Sequence, residues 1–216
     1  MPFVVTKKIR FFLAVMASVL LVALGLGVQR GEIGLNESKL SSGLSFDANR
    51  AWVDLETVVG FGPRPAGSAN LEKTREYIVA ELKSVFLEPI LDQFIATTPL
   101  GDIKMVNIRV VVPGRREESI LVGGHYDTKL FDTTFVGAND GGSSTAVLLE
   151  LARISPGLNL EHTLEFIFFD GEEAVVEWTA EDSVYGSRYD VDRRHDEGTL
   201  RLLKALVLVD MVGDID

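Results

Sequence analysis

The stretch LEFIFFDGEEAVVEW, residues 164–178, decides the fold of this chain. Its apolar run, residues 166–169, predicts a strand buried on both faces, because four such side chains in succession leave no polar face for solvent. The strand leads into Glu172 and Glu173, which therefore follow its carboxyl end. A buried carboxylate without a partner is very costly, so acids in this position are paired, bound to a metal or shifted in pKa. Two adjacent acids there suit a metal ligand beside a general base.

The segments around this stretch alternate between apolar strands and helical patterns. Apolar runs bounded by turn residues predict strands, and apolar residues at helical spacing predict helices. The predicted strands are residues 90–98, 104–112, 119–123, 164–169 and 205–210, and the predicted helices are residues 47–59, 69–85 and 143–153. This order predicts an α/β domain with a mixed, largely parallel central sheet and helices on both faces.

The composition is that of an ordinary globular domain, with 46% hydrophobic and 25% charged residues among 216. The formal net charge of −11 argues against a nucleic-acid partner, because phosphate binding depends on clustered Lys and Arg. The chain contains no cysteine, which excludes disulfides, thiolate zinc ligands and a cysteine nucleophile.

The first 30 residues carry a targeting pattern. Three basic residues at positions 7, 8 and 10 precede an uncharged apolar run, residues 11–28. This order predicts a signal anchor or a signal peptide, and the run is near the minimum of about 17 residues for a membrane-spanning helix. An anchor would attach the protein to the membrane and place the remainder outside the cytoplasm. Residues 31–45 are rich in Gly and Ser and predict a linker, so the folded domain is expected at residues 46–216.

Acidic and imidazole side chains follow the ends of several predicted strands. Ligands of open α/β sheets gather outside the carboxyl ends of the strands, so separate elements can deliver these groups to one crevice. His125 and Asp127 are two residues apart and face the same side of an extended chain, so Asp127 is predicted to orient the imidazole. The groups concerned are His125 with Asp127, Asp140, Glu172 with Glu173, and Asp210.

Each of these residues also has a purely structural interpretation. An isolated Glu-Glu pair is usually solvated, Asp140 suits a helix cap and Asp210 suits a turn. Their common order at strand ends favours one site over several unrelated roles. His162 and His195 are assigned no role, because His162 follows a polar turn and His195 lies in a charged segment.

The order H-x-D, D-G-G, D-G-E-E and D resembles that of the zinc-dependent aminopeptidases. Within them the chain is most similar to the glutaminyl-peptide cyclotransferases, the glutaminyl cyclases, over roughly residues 60–213. The motifs that carry the resemblance are GPRPAGS (62–68), GGHYDTK (123–129), FVGAND (135–140), FFDGEEAVVEW (168–178) and DSVYGSR (182–188). The last two are the most specific, because ordinary aminopeptidases usually lack that Trp and the DSVYGSR run.

The resemblance implies a role for each matching residue. Asp140 and Glu173 correspond to zinc ligands, with Asp140 bridging if two ions bind, and His125 and Asp210 correspond to ligands of a second metal. In the one-zinc cyclases the counterpart of Asp210 contacts the substrate amine instead. Glu172 corresponds to the general acid/base and Trp178 to a wall of the substrate pocket. Zn²⁺, as one ion or two, is therefore the expected cofactor, and peptide or protein N-termini are the expected substrates.

Three functions stay open at this point. A glutaminyl cyclase is favoured by Trp178 and residues 182–188, whereas the form of the AND-GG-SST segment favours a zinc aminopeptidase. Both reactions use the same residues and differ in whether water reaches the metal. A membrane-tethered binding domain without catalysis is the third. The family takes its final zinc-ligating His from a segment beyond Asp210, so the domain is predicted to be incomplete at its C-terminus.

Overall fold

The computed structural model describes residues 45–213, and this part of the chain forms one five-stranded sheet with four α-helices. In chain order the elements are α1 (Ala48–Gly60), α2 (Ala69–Ser84), β1 (Ile90–Thr98), β2 (Gly101–Val112), β3 (Arg116–His125), a π-helical turn (Ala138–Ser143), α3 (Ser144–Ile154), β4 (His162–Phe169), α4 (Tyr185–Asp196), a 3₁₀ turn (Leu200–Leu202) and β5 (Leu203–Leu208).

The first two helices begin at residues whose side chains cap them. The Asp47 carboxylate accepts hydrogen bonds from the backbone N–H groups of Asn49 and Arg50 at 3.0 and 3.1 Å. Ser68 Oγ accepts one from the N–H of Leu71 at 3.2 Å. These bonds satisfy donors that have no partner inside the helix. Both helices agree with the predicted bounds to within one residue.

The strand order in the sheet is β1-β2-β4-β3-β5. Strand β3 pairs in parallel with β4 and β5, whereas β2 pairs antiparallel with both β1 and β4. The prediction of a mixed sheet is confirmed, but its description as largely parallel is wrong, since two of the four strand pairs are antiparallel. An apolar run shows that a strand is buried and carries no information about its direction.

Side chains of the central strands alternate between two faces of the sheet. Val122, Phe166 and Phe168 are buried in the main core, where α3 packs against β3 and β4. Leu121 and Ile167 lie in a smaller cluster on the other face, because successive residues of a strand point to opposite sides. Helices α1 and α2 pack on α3 and complete the larger layer.

Helix α4 lies on the opposite face and is absent from the sequence-based prediction. It contacts β2, and Arg194 ties it to β4 by donating to Glu165 Oε2 at 2.7 Å. Arg194 also donates to Asp190 Oδ2 at 2.7 Å, and all three side chains are buried. Because ion pairs replace an apolar stripe in this helix, hydrophobic spacing does not reveal it. Helices therefore cover both faces, as predicted.

The predicted targeting segment, residues 1–30, lies outside the described residues, as does the predicted linker apart from its last residue. Within residues 45–213 no helix has the length and apolar character needed to cross a bilayer. Membrane attachment and an extracytoplasmic location stay predictions, and so do the domain limits at residues 46–216.

Candidate metal site

The carboxyl ends of the three parallel strands lie at one edge of the sheet. His125, the last residue of β3, is in register with Phe169 at the end of β4. Strand β5 runs parallel to β3 and ends at Leu208, just before Asp210. This edge therefore collects the imidazole and the acids that follow β4 and β5, as the rule for open α/β sheets predicts.

The His125 imidazole is buried among carboxylates at this edge, with 2% of its side chain exposed. Nδ1 lies 3.3 Å from Asp127 Oδ1 and 4.0 Å from Glu172 Oε2. Nε2 lies 3.1 Å from Asp140 Oδ1 and 3.4 Å from Asp210 Oδ1, without a well-directed hydrogen bond. The potential ligand atoms of His125, Asp140 and Asp210 all lie within 4.8 Å of one another.

Asp140 reaches the imidazole through a tight turn at the start of α3. Gly141 follows it with φ of 77°, in the left-handed region. A Cβ at this position would lie 2.5 Å from the backbone oxygen of Asp127 and 3.1 Å from His125 Cε1, so only Gly fits. Glu173 lies close enough to Asp140 for each carboxyl to shift the pKa of the other. The two residues that the resemblance assigns to zinc are thus neighbours.

Asp127 holds the acidic pair as well as the imidazole. Its carboxylate is fully buried and accepts hydrogen bonds from the backbone N–H groups of Glu172 and Glu173, both at 3.1 Å. The same Oδ1 atom lies 3.3 Å from His125 Nδ1. One side chain therefore fixes three parts of the candidate site, of which the sequence indicated only the contact with the imidazole.

The pKa values at this edge shift in opposite directions. Burial raises the pKa of Glu172 to about 7 and that of Glu173 to about 8, and neighbouring carboxylates add to both shifts. For His125, burial opposes the charged form, but contacts with the surrounding aspartates outweigh it and raise the pKa. The close approach of the His125 imidazole lowers the pKa of Asp140. The cluster carries an excess of carboxylates that a bound cation would relieve.

The donor set fits zinc, which binds His nitrogen and Asp or Glu oxygen in tetrahedral sites. His125 Nε2 is buried, faces two carboxylates and lacks a well-directed hydrogen bond, as expected of a nitrogen that faces a metal position. Glu173 extends the set, because it lies close enough to Asp140 for each carboxyl to shift the pKa of the other. The structure therefore offers a nitrogen and several carboxylates around one position.

Trp178 lies outside this cluster. It is on the exposed segment that follows Glu173, with 56% of the residue accessible to solvent. Within the described part of the chain, no hydrogen bond, ion pair or ring contact joins it to the candidate ligands. His195 is exposed, and His162 begins β4 at the end away from the site. Trp178 as a pocket wall stays a prediction.

Two buried side chains near the site were missed by the sequence analysis. Arg64 is fully buried and donates to the carbonyl oxygens of Tyr126 at 2.8 Å, Val136 at 2.5 Å and Gly137 at 3.0 Å. Asp182 is 4% exposed and accepts several backbone hydrogen bonds. Arg64 lies within the quoted motif GPRPAGS and Asp182 within DSVYGSR. Because charged loop residues are usually exposed, the residue type alone did not indicate that these side chains are buried.

This fold and site define a metallopeptidase-type α/β domain, in which parallel strands deliver an imidazole and several acids to one edge. The chain belongs to peptidase family M28, and the model of that family matches residues 107–216. The match covers β3, α3 and β4 and so includes every candidate ligand. Family M28 is zinc-dependent in general, which agrees with the donor set.

The chain is also similar to individual proteins, and those described here are named as glutaminyl cyclases or proteins like them. The chain is 34% identical over 161 residues to a glutaminyl-peptide cyclotransferase of Drosophila melanogaster, covering 71% of this chain and 46% of that protein. It is 33% identical over 168 residues to a glutaminyl-peptide cyclotransferase-like protein of Mus musculus, covering 69% and 44%. A solved glutaminyl cyclase of an Acidobacteriales bacterium matches with a TM-score of 0.74 at 33% identity, covering 87% and 64%. The chain spans about half the length of the curated relatives it matches.

Proposed function

We propose that the protein is a zinc-dependent glutaminyl-peptide cyclotransferase, which converts the N-terminal Gln of peptides into pyroglutamate and releases ammonia. The observation that carries this proposal is the convergence of His125, Asp140, Asp210 and the Glu172-Glu173 pair on one edge of the sheet. Identity of 34% and 33% to proteins named as glutaminyl-peptide cyclotransferases or similar to them supports this reaction over peptide hydrolysis. Peptide and protein N-termini are the proposed substrates.

Asp140 and Glu173 are the proposed zinc ligands, with His125 as a further ligand or as their neighbour. Zinc, when bound, would polarise the γ-amide carbonyl of the substrate Gln as a Lewis acid. The two carboxyls lie close enough for each to shift the pKa of the other, as expected of two ligands of one ion. Asp127 fixes the backbone of Glu173 and lies beside the imidazole, so it supports the proposed ligands without touching the substrate.

Glu172 is the proposed general base and acid. Cyclisation forms a bond between the substrate α-nitrogen and its side-chain carbonyl carbon, Cδ, and it breaks the bond from that carbon to the amide nitrogen. Glu172 would take a proton from the attacking amine and pass it to the departing ammonia. Burial raises the pKa of this carboxyl to about 7, so both of its forms are accessible near neutral pH. The backbone hydrogen bond to Asp127 keeps Glu172 at the edge of the site.

Asp210 is proposed to hold the substrate amine. Its side chain is 37% exposed and lies 3.4 Å from His125 Nε2, so it faces both the solvent and the cluster. A carboxylate there would orient the amine toward the side-chain carbonyl carbon, Cδ. Because the nucleophile and the electrophile belong to one molecule, positioning supplies much of the acceleration.

A zinc aminopeptidase is the second candidate, and one observation favours it. The ligand atoms of His125, Asp140 and Asp210 lie within 4.8 Å of one another. The resemblance assigns these residues to a second metal or to a bridge between two metals, and two-metal sites commonly hydrolyse peptides with an activated water. Glu172 would then be the base for that water.

The experiment that separates these reactions uses the zinc-loaded full chain with two peptides, one beginning with Gln and one with Leu. Mass spectrometry is expected to show loss of ammonia from the Gln peptide and an intact Leu peptide. A chelator should abolish the reaction, and so should Glu172→Gln. Release of free Leu would instead establish an aminopeptidase.

The control is Glu177→Gln, which removes an exposed acid from the segment that follows the acidic pair. It should leave the reaction unchanged. If the protein binds zinc, measured by calorimetry, and neither peptide reacts, the proposal of a catalytic function falls and a binding domain on this fold takes its place.

A further inference from the structure

The segment after the acidic pair is organised around the Asp182 carboxylate. Three consecutive backbone N–H groups donate to it, those of Val175 at 2.9 Å, Val176 at 2.8 Å and Glu177 at 2.9 Å. The Tyr185 hydroxyl donates a further hydrogen bond at 2.7 Å. Burial opposes ionisation, but these bonds outweigh it and lower the pKa of Asp182. The carboxylate is therefore charged when the segment is folded.

Consecutive amides that point at one anion form a backbone nest, which elsewhere binds phosphate or other ligands. Here the anion belongs to the same segment, so the nest fixes the path of the chain up to Glu177. The chain after Trp178 is tied as well. Thr179 Oγ1 accepts from the N–H of Asp182 at 3.0 Å, and Ser183 Oγ donates to the Thr179 carbonyl at 2.6 Å. Trp178 thus lies between two anchored neighbours.

The two ends of this segment are fixed separately from its middle. The N–H of Val184 donates to the Glu172 carbonyl, and the N–H of Tyr185 donates to the Gly171 carbonyl, both at 2.8 Å. Asp127 binds the amides of the acidic pair independently. Loss of the Asp182 charge would therefore loosen the part of the segment that carries Trp178 and leave the glutamates in place.

We propose that Asp182 is a positioning residue that fixes the segment carrying Trp178, which follows the acidic pair, so that the ring is held for contact with a bound peptide. Trp178 is 56% exposed, so its ring is available to a bound peptide, and only the backbone on either side of it is anchored. The kinetic consequence rests on the proposed cyclase function: Asp182 acts on substrate binding through Trp178, whereas Glu172 acts on the chemical step.

The test is Asp182→Asn in the zinc-loaded full chain, in a background that contains Trp52→Phe. Trp52 is exposed on α1, and its replacement leaves Trp178 as the sole fluorescent Trp, since the chain has two Trp residues. The amide keeps the size of the side chain and loses the charge and one acceptor oxygen. We expect the fluorescence anisotropy of Trp178 to fall. We also expect KM for a Gln-initiated peptide to rise about tenfold while kcat changes by less than about threefold.

The matched control is Glu181→Gln, which removes one negative charge from an exposed position next to Asp182 and should change neither quantity. If Asp182→Asn does not fold, Tyr185→Phe decides the question. This substitution removes one of the four hydrogen bonds that the Asp182 carboxylate accepts. It should lower the anisotropy and raise KM, each by less than the change expected for Asp182→Asn. Unchanged anisotropy, or a fall in kcat at constant KM, would overturn the inference. If the wild type forms no pyroglutamate, the proposed function fails and the anisotropy alone still tests the role of Asp182.

Discussion

Two regions of the molecule bury acidic side chains, and they differ in whether arginines neutralise the negative charge. Between α1, α2 and α3, the buried acids are matched by arginines. Arg153 donates to Asp54 Oδ1 at 2.8 Å, and Arg50 donates to both oxygens of Glu150 at 2.7 Å. At the candidate metal site the acids crowd around the single imidazole of His125.

The pKa values show the consequence of this difference. At the candidate metal site, burial and like charges raise the pKa of Glu173 to about 8, so this carboxyl resists ionisation. In the helix layer, burial opposes the charge of Arg153, but its contacts with Asp54 and Glu81 outweigh burial and raise its pKa. Matched charges indicate a structural role, whereas unmatched charges indicate that a ligand is needed.

The largest expected effect is on catalysis and concerns the candidate metal site, where the acids have no arginine partners. Glu172→Gln removes the proposed proton carrier, so kcat for pyroglutamate formation should fall about 10²–10⁴-fold. Steady-state kinetics with a Gln-initiated peptide measures this loss. Thermal stability should not decrease, because the variant also removes one of the crowded negative charges. A variant that retained kcat would assign the proton transfer to another residue.

The next largest effect is on stability and concerns the ion pairs between α1, α2 and α3. Arg153→Met leaves Asp54 and Glu150 buried with less compensation, so the free energy of unfolding should fall by about 3–5 kcal/mol. Urea denaturation followed by circular dichroism measures this change. The control is Arg201→Met at an exposed position, which should change stability by less than about 0.5 kcal/mol. Equal effects of the two substitutions would show that the ion pairs contribute little.

Zinc should stabilise the candidate metal site and leave the ion pairs between α1, α2 and α3 unaffected. At a free zinc concentration 100 times the dissociation constant, binding adds about 2.7 kcal/mol to the stability of the folded state. Scanning calorimetry with and without a chelator should show this as a shift of the thermal midpoint. Asp140→Asn should remove most of the shift, and Asp92→Asn, a change on β1 outside the candidate site, should preserve it. An equal shift in both variants would place the zinc elsewhere.

The smallest expected effect is on the pH dependence of the metal-free protein. The pKa of Glu173 is raised in the folded state from 4.5 to about 8, so ionisation of this group opposes folding. The penalty is absent below about pH 4.5, grows with pH and is complete above about pH 8. Glu173→Gln should therefore unfold at higher denaturant concentration than the wild type at pH 8.5, by roughly 1 kcal/mol because solvent screens part of the shift. At pH 4 the difference should vanish.

Apolar patterns predicted the bounds of helices and strands well where an element buries apolar side chains in the core. Helices α1 and α2 and strand β1 agree with their predicted bounds to within one residue, and β4 begins only two residues earlier than predicted. Helix α4 was missed because Arg194 and Asp190 bury an ion pair where other helices bury apolar side chains. The antiparallel pairing of β2 with β4 was also beyond prediction, because these strands are far apart in the sequence.

The sequence by itself determined which residues are candidates: an imidazole and several acids, each following a buried strand or opening a helix. It also indicated the family, because those residues occur in a distinctive order. Only the tertiary structure decided how they meet. The parallel register of β3, β4 and β5 brings the groups to one edge, and the Asp127 and Asp182 carboxylates fix the backbone between them. Such contacts join residues far apart in the chain or reverse the usual exposure of a charged side chain, so no local pattern encodes them.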